Sequence, residues 1–401
     1  MFRRTKKVQW ENKFINNIFE SANIADDSYI DILLKNPESL NSKNIYLPNN
    51  LYKFCRPSYD NIIDLKNGNL WFSHPSSFND LYDCSIGYDK DEFERKTIIE
   101  LIKSKKMAKR AVAKSMFTKD DYNAMLRSAS DYDKSGWRWG NDGKYKIEHY
   151  SDAFENILKS KSPAFRTKVK KQFREKCNQL DEKVKVLSKT NIRVACFANF
   201  DKYDDFPKMA QMWAHYADDH KGFCIEFDMS SFKNELKLTT DYYYDNESDF
   251  LSERLSLAIK GGLFPVNYSS KRIKMPYSKL KLITEISDSE ISKNNYFESL
   301  LLKAYINKST VWNYEKEWRI ILDEKICNYY ENKIPFPYAK CVYIGVRMEK
   351  KKKDLLIQTA RELGIEVRIM RTDRDKYLLE DWDTWFYEYD EKRKKDRHPY
   401  K

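Results

Sequence analysis

The chain has 401 residues, enough for a large buried core built as one domain with insertions or as two smaller domains. Apolar residues make up 41% and charged residues 33%, with 22 Phe, 28 Tyr and 9 Trp, which excludes a wholly disordered chain and predicts a core rich in aromatic rings. The net charge of +12 permits contact with nucleic acid or another acidic partner, but the lysines are spread along the sequence, and a solvated basic surface accounts for them as well.

With only 10 Gly there is no Gly-rich phosphate loop; the one adjacent pair, Gly261-Gly262, is not followed by Lys-Ser or Lys-Thr. The cysteines are odd in number (7) and lack CxxC spacing, which argues against a disulfide framework and a zinc knuckle. Cys196, Cys224 and Cys341 lie in apolar runs and read as small buried hydrophobes. No metal is expected. The basic start MFRRTKKVQW is not followed by an apolar run, and no stretch reaches the roughly 18 apolar residues of a membrane span. A soluble, cytoplasmic protein with no membrane contact is expected.

Residues 1–48 read as a helical lead-in, from the apolar spacing of NKFINNIFESA and SYIDILLKN. Residues 49–89 read as the first part of an α+β core: a strand LYKFC, a helix YDNIIDLKNG stopping at Gly68, a strand NLWFS, and a polar turn HPSSFNDLYDC. Residues 90–190 are Lys-rich and read as a helical insertion, with a loop at 135–145. Residues 191–385 return to the core. Strands are predicted at 192–198, 222–228, 264–268 and 317–322, a helix over PKMAQMWAHYADDH and a long helix over 285–312. A strand–helix–strand unit follows, punctuated by Gly345 and Gly364, and residues 386–401 form an exposed basic tail. The fold class expected is α+β, with a mixed or antiparallel central sheet carrying a large helical insertion.

Three polar constellations stand out. Arg56 follows the first strand, and Ser73, Asn79, Asp80 and Asp83 lie in or near the turn after the second. Strand ends line cleft mouths, and an arginine there can bind phosphate or carboxylate through two parallel hydrogen bonds. Asn79 and Asp80 fit a self-bonded turn equally well. In MWAHYADDHKGFCIEFD, His215 and His220 are five apart, too far along a helix for a zinc pair. Trp213, His215 and Tyr216 offer a stacking platform for a flat ring, although core packing suits Trp213 and Tyr216 at least as well. In KSTVWNYEKEWRIIL, Glu315 and Glu317 share a face if the segment is a strand, a pattern suited to steadying an oxocarbenium ion and orienting a nucleophile. Glu317 and Arg319 have the same spacing and suit a structural ion pair.

LYKFCRP, LWFSHPSSFND, Cys196-Phe197, MWAHYADDHKGFCIEF, KSTVWNYEKEWRI and VYIGV, in that order, resemble the bacterial domain-of-unknown-function family 2971 over roughly residues 50–85 and 190–380. Its members are stand-alone bacterial proteins, some linked to phage defence; the family supplies no reaction. A second resemblance is to ADP-ribosyltransferases, through the order Arg56, Ser73, Glu315-x-Glu317. It implies a split-sheet variant of the fold and cleavage of NAD at the nicotinamide–ribose bond, in a phage-defence or toxin effector. By that resemblance, Arg56 would hold the NAD phosphates or ribose, and Ser73 would support the nicotinamide pocket. Trp71 or Tyr216 would stack on the ring, Glu317 would stabilise the oxocarbenium ion and Glu315 would position a nucleic-acid or protein acceptor. The serine motif LWFSHPS departs from the usual Ser-Thr-Ser, and His215 has no part in that scheme.

Two other readings stay open. In a Mg²⁺-dependent nuclease or phosphodiesterase, Asp80, Asp83, Glu226 and Glu317 would hold the metal and His215 would act as base. In a non-catalytic sensor or partner-binding module, the Lys-rich insertion would be the contact surface.

Overall fold

The computed structural model describes residues 47–103, parts of 117–127, 144–189, 192–200, 210–235, 255, 258–285, 297–373, 375 and 379–383, and counts or absences below refer to these residues. Almost all of the expected lead-in, most of the 135–145 loop and the tail 386–401 lie outside them.

The chain divides into two compact units: Met1–Cys84, Lys189–Lys271 and Glu298–Lys401 make the first, and Ser85–Ser188 with Arg272–Phe297 the second. The strands, all in the first unit, are β1 Asn50–Cys55, β2 Asn69–Trp71, β3 Ile192–Ala198, β4 Phe223–Asp228, β5 Leu263–Pro265, β6 Asn267–Ser269, β7 Asn307–Ser309, β8 Glu317–Asp323, β9 Lys333–Pro335, β10 Ala339–Ile344, β11 Glu366–Thr372 and β12 Leu379–Asp383. Among the described residues, eight of them form one sheet in the order β12-β11-β10-β4-β1-β3-β8-β5. Every pairing in it is antiparallel except β10 with β11, which the helix Lys350–Glu362 connects. The protein is therefore α+β with a mixed central sheet, the expected class. β4 and β8 are buried along all but their last residue, as strands covered on both faces must be.

The long helix expected over 285–312 does not form as one element. The described part is a helix Glu298–Tyr305, after which the chain enters β7 and a 3-10 helix Thr310–Glu315. The sequence explains the break: Asn307 bonds the Asn267 amide across the parallel β6–β7 pair, and Ser309 leads into the 3-10 turn with β-branched Thr310 and Val311. β7, β9 and the short helix Glu324–Tyr329 are too brief for periodicity to reveal.

The second unit holds the helices Lys90–Lys103, Lys144–Lys159, Pro163–Lys189 (which ends one residue beyond it) and Tyr277–Glu285. It draws in 272–297, which the sequence assigns to the core: Gly87 pairs with Lys274 as an isolated bridge, and Arg272 Nη2 donates to Ser85 Oγ at 2.9 Å. Phe117, Met125, Phe154, Leu158 and Val169 pack a small apolar core there. No described helix is long and apolar enough to cross a membrane.

Candidate functional site

The neighbouring strands β1, β3 and β8 form part of the wall of a cavity of about 230 Å³ in the first unit. β1 contributes Tyr52, Lys53 and Phe54, with Arg56 just beyond its end; β3 contributes Cys196, and β8 contributes Glu317. Ser73, Asn79, Asp80 and Asp83 enter from the segment after β2, His215 and Tyr216 from the helix Ala210–Tyr216, and Lys308 and Glu315 from β7 and the 3-10 helix. Residues more than 250 positions apart thus border one space, which takes in Arg56, Ser73, Asn79, Asp80, His215, Tyr216, Glu315 and Glu317 but not Trp71, Trp213 or Glu226.

Trp71 is a correction. In β2, Leu70 and nearby Phe72 are buried, and alternation turns Trp71 to the other side, where it is 42% exposed and outside the cavity wall. Ser73 reaches the cavity because its backbone bridges Val194 of β3, through amide–carbonyl bonds of 2.9 Å in both directions. Trp213 is fully buried, edge-on to Phe54 at 5.2 Å, and belongs to the core.

Arg56 sits on a rigid support. Its carbonyl accepts from Ser58 N and from Asn61 Nδ2, both at 2.9 Å. The preceding carbonyl, of Cys55, lies so close to Gly222 that a β-carbon there would stand 2.0 Å from the oxygen. Gly222→Ala is therefore expected to push Cys55 and Arg56 aside, costing about 1–3 kcal/mol. Urea unfolding checks this; unchanged stability would refute it.

The deepest part of the site is an ionic cluster. Arg319, 0% exposed, donates Nε to Glu317 Oε1 at 2.7 Å and Nη2 to Glu317 Oε2 at 3.0 Å. It donates Nη1 and Nη2 to the two oxygens of Asp83 at 2.7 and 2.6 Å, and Nη1 again to the Tyr305 carbonyl at 2.7 Å. All five guanidinium donors are thus engaged. Lys308 Nζ donates to Glu315 Oε2 at 2.5 Å and Glu317 Oε2 at 3.0 Å and stands 3.5 Å from Asp83. Two buried cations therefore face three buried carboxylates.

The two glutamates differ sharply. Burial opposes the charge on Glu317, but Arg319 and then Lys308 outweigh it and hold the carboxyl far below the usual range. With bonds from Arg319, Lys308 and the Cys196 thiol, its lone pairs are filled. Burial, and then the neighbouring charge of Glu317, push Glu315 up to about 7; Lys308 and the Tyr216 hydroxyl, which donates to Oε1, pull the other way. Glu315 is thus the carboxyl able to exchange a proton near neutrality, whereas the sequence favours Glu317 for the principal role. Nor do the pair share a strand face. Glu315 ends the 3-10 helix, Lys316 takes a left-handed conformation (φ 45°, ψ 50°), and Glu317 opens β8. Lys308, not strand alternation, gathers them.

Cys196 lines the cavity rather than disappearing into the core, and burial with the nearby Glu317 charge raises its thiol well above the ordinary value, so it is no thiolate nucleophile. His215 Nδ1 is 2.9 Å from the Tyr314 hydroxyl. The metal set of the nuclease reading is not gathered: Glu226 faces Tyr343 and Lys340 outside the cavity wall, and Asp83 and Glu317 already clamp Arg319. Among the described residues no group of three or more His, Cys, Asp or Glu side chains is placed to hold a metal ion.

Sequence reasoning missed Lys308 and underrated Arg319. The signal for Arg319 was its place inside the apolar run EWRIIL, where a buried charge demands buried counter-ions.

Among known families, residues 212–320 match the one described as a protein of unknown function (DUF2971). The match takes in His215, Tyr216, Lys308, Glu315, Glu317 and Arg319, and leaves the LYKFCRP, LWFSHPSSFND and VYIGV blocks outside. No curated protein matches the chain, and no solved structure does. None of these comparisons links it to ADP-ribosyltransferases.

Proposed function

We propose that the cavity binds the nicotinamide-ribose end of NAD and cleaves its glycosidic bond, with Glu315 as the working carboxylate. The carrying observation is geometric: Glu315, bonded by Tyr216 and Lys308, lines the same cavity as Arg56, and burial with the nearby Glu317 charge pushes its carboxyl upward. In the step, the bond between ribose C1′ and the pyridinium nitrogen breaks and its electron pair goes to nitrogen, releasing neutral nicotinamide. The Glu315 carboxylate steadies the ribosyl oxocarbenium ion and takes the proton of the attacking water or acceptor hydroxyl. Arg56 is the candidate for the phosphates, since a planar guanidinium pairs well with them. Glu317, saturated by cations, positions Lys308 and through it Glu315. The acceptor class, nucleic acid or protein, and an effector role in phage defence or as a toxin belong to this same proposal.

Incubating the pure protein with NAD and measuring free nicotinamide tests the reading. Release that survives EDTA is expected; no release, together with Mg²⁺-dependent cleavage of DNA or RNA, would replace it with a nuclease. The pH profile is a separate check. Because the carboxylate form does the work, the rate is expected to rise with pH through about 7 and then level. A rate flat from pH 5 to 9 would remove Glu315 from the chemistry.

A further inference from the structure

We propose that His215, Trp312 and Tyr314 form a second, ring-binding subsite beside the cavity, which takes the purine base of a dinucleotide. The proposal extends the reading above by naming where the non-reacting half of the substrate lies. The three rings are mutual neighbours: His215 lies 6.2 Å from Trp312 and 6.2 Å from Tyr314, and Trp312 lies 6.1 Å from Tyr314, centroid to centroid. The bond between His215 Nδ1 and the Tyr314 hydroxyl fixes two of them. The ammonium of Lys308, 5.1 Å from the centre of the Trp312 ring, holds the third by cation–π attraction.

These rings are not ordinary core. Trp213 and Trp318 are 0% and 1% exposed, whereas Trp312 and Tyr314 are half-buried, His215 is exposed, and adjoining Val311 is 72% exposed. A surface cluster of aromatic rings locked in place offers a stacking face at little entropic cost. Its position is equally telling. Trp312 and Tyr314 belong to the same 3-10 helix as Glu315, and His215 adjoins Tyr216, whose hydroxyl donates to Glu315. The cluster therefore adjoins the residues that hold Glu315. Size points the same way: a cavity of about 230 Å³ lies below the roughly 300–1,000 Å³ of pockets that enclose a drug-sized ligand. Such a cavity suits one half of a dinucleotide, with the other half extending toward the three rings.

The test titrates AMP and, separately, nicotinamide mononucleotide into the wild-type protein, Trp312→Ala and Trp312→Phe, by calorimetry. Stacking of one base supports roughly a tenfold change in affinity. AMP is expected to bind about tenfold more weakly to Trp312→Ala, with Trp312→Phe restoring most of the loss and nicotinamide mononucleotide indifferent to both. AMP affinity unchanged in Trp312→Ala, or no AMP binding to the wild type, would overturn the subsite. Should Trp312→Ala not fold, magnetisation transfer between adenine and indole protons in the wild type decides the matter by its presence or absence. If AMP binding depends on Trp312 but NAD releases no nicotinamide, the subsite stands and the reaction falls. If NAD is cleaved with an unchanged KM in Trp312→Ala, the reaction stands and the subsite falls.

Discussion

Arg319→Met is expected to destabilise the protein by about 3–5 kcal/mol, because it leaves three buried carboxylates facing the single ammonium of Lys308. Asp83 loses a two-pronged partner, and Glu317 loses the stronger of its two cations. Whole domains are stable by roughly 5–15 kcal/mol, so the variant should lie at or near unfolding. Equilibrium urea denaturation measures it, and a loss under about 1 kcal/mol would mean that the cluster is solvated and weak. A pH series supplies an independent check. Glu317 is depressed in the folded state, so its contribution is fully present above the unfolded carboxyl value of about 4.3 and is lost as pH falls towards the folded one. Glu315 has the opposite sign: its contribution is present below about 4.3 and lost as pH rises through about 7. Wild-type stability should therefore carry opposing slopes from neighbouring glutamates, and Glu315→Gln should abolish the loss between those two pH values.

Glu315→Gln is also expected to lower nicotinamide release by about 10²–10⁴-fold, the usual weight of a positioned acid–base group, while thermal stability holds or rises. Glu317→Gln should behave differently. Its amide cannot balance Arg319 and Lys308, so activity should fall in step with the folded fraction rather than ahead of it. The spacing of the two residues alone suggests the reverse, with Glu317 chemically essential and structurally dispensable. Comparing activity per folded molecule separates the cases: full activity in Glu315→Gln would end the proposed mechanism.

Much of the architecture was legible because it is local. β1, β4 and the β10–helix–β11 unit announce themselves through apolar runs bounded by Gly or Pro, and β3 and β8 through apolar runs alone. The gathering of Arg56, Ser73, His215 and Glu317 around one space was legible too, since polar residues at strand ends tend to meet at a cleft. What escaped is long-range or brief. Asp83 and Arg319 are 236 positions apart, and no periodicity connects a turn aspartate with a strand arginine. Lys308 sits in a three-residue strand that reads as the end of a helix. Without it, nothing in the sequence shows what brings the two glutamates together. Trp71 was misjudged because a three-residue strand does not announce which of its faces is turned to the cavity.

Lys316 explains how two acids only two positions apart acquire opposite habits. A left-handed residue with a β-carbon is disfavoured by roughly 1–2 kcal/mol, and a continued strand would have avoided that. A continued strand would also have aligned both side chains with Arg319 on one pleat, and each would have become a permanent anion. The twist at this one residue breaks the alignment. It lets one acid serve as a fixed counter-ion while its neighbour remains a reversible proton carrier, so a single strained link in the backbone creates the chemical asymmetry of the site.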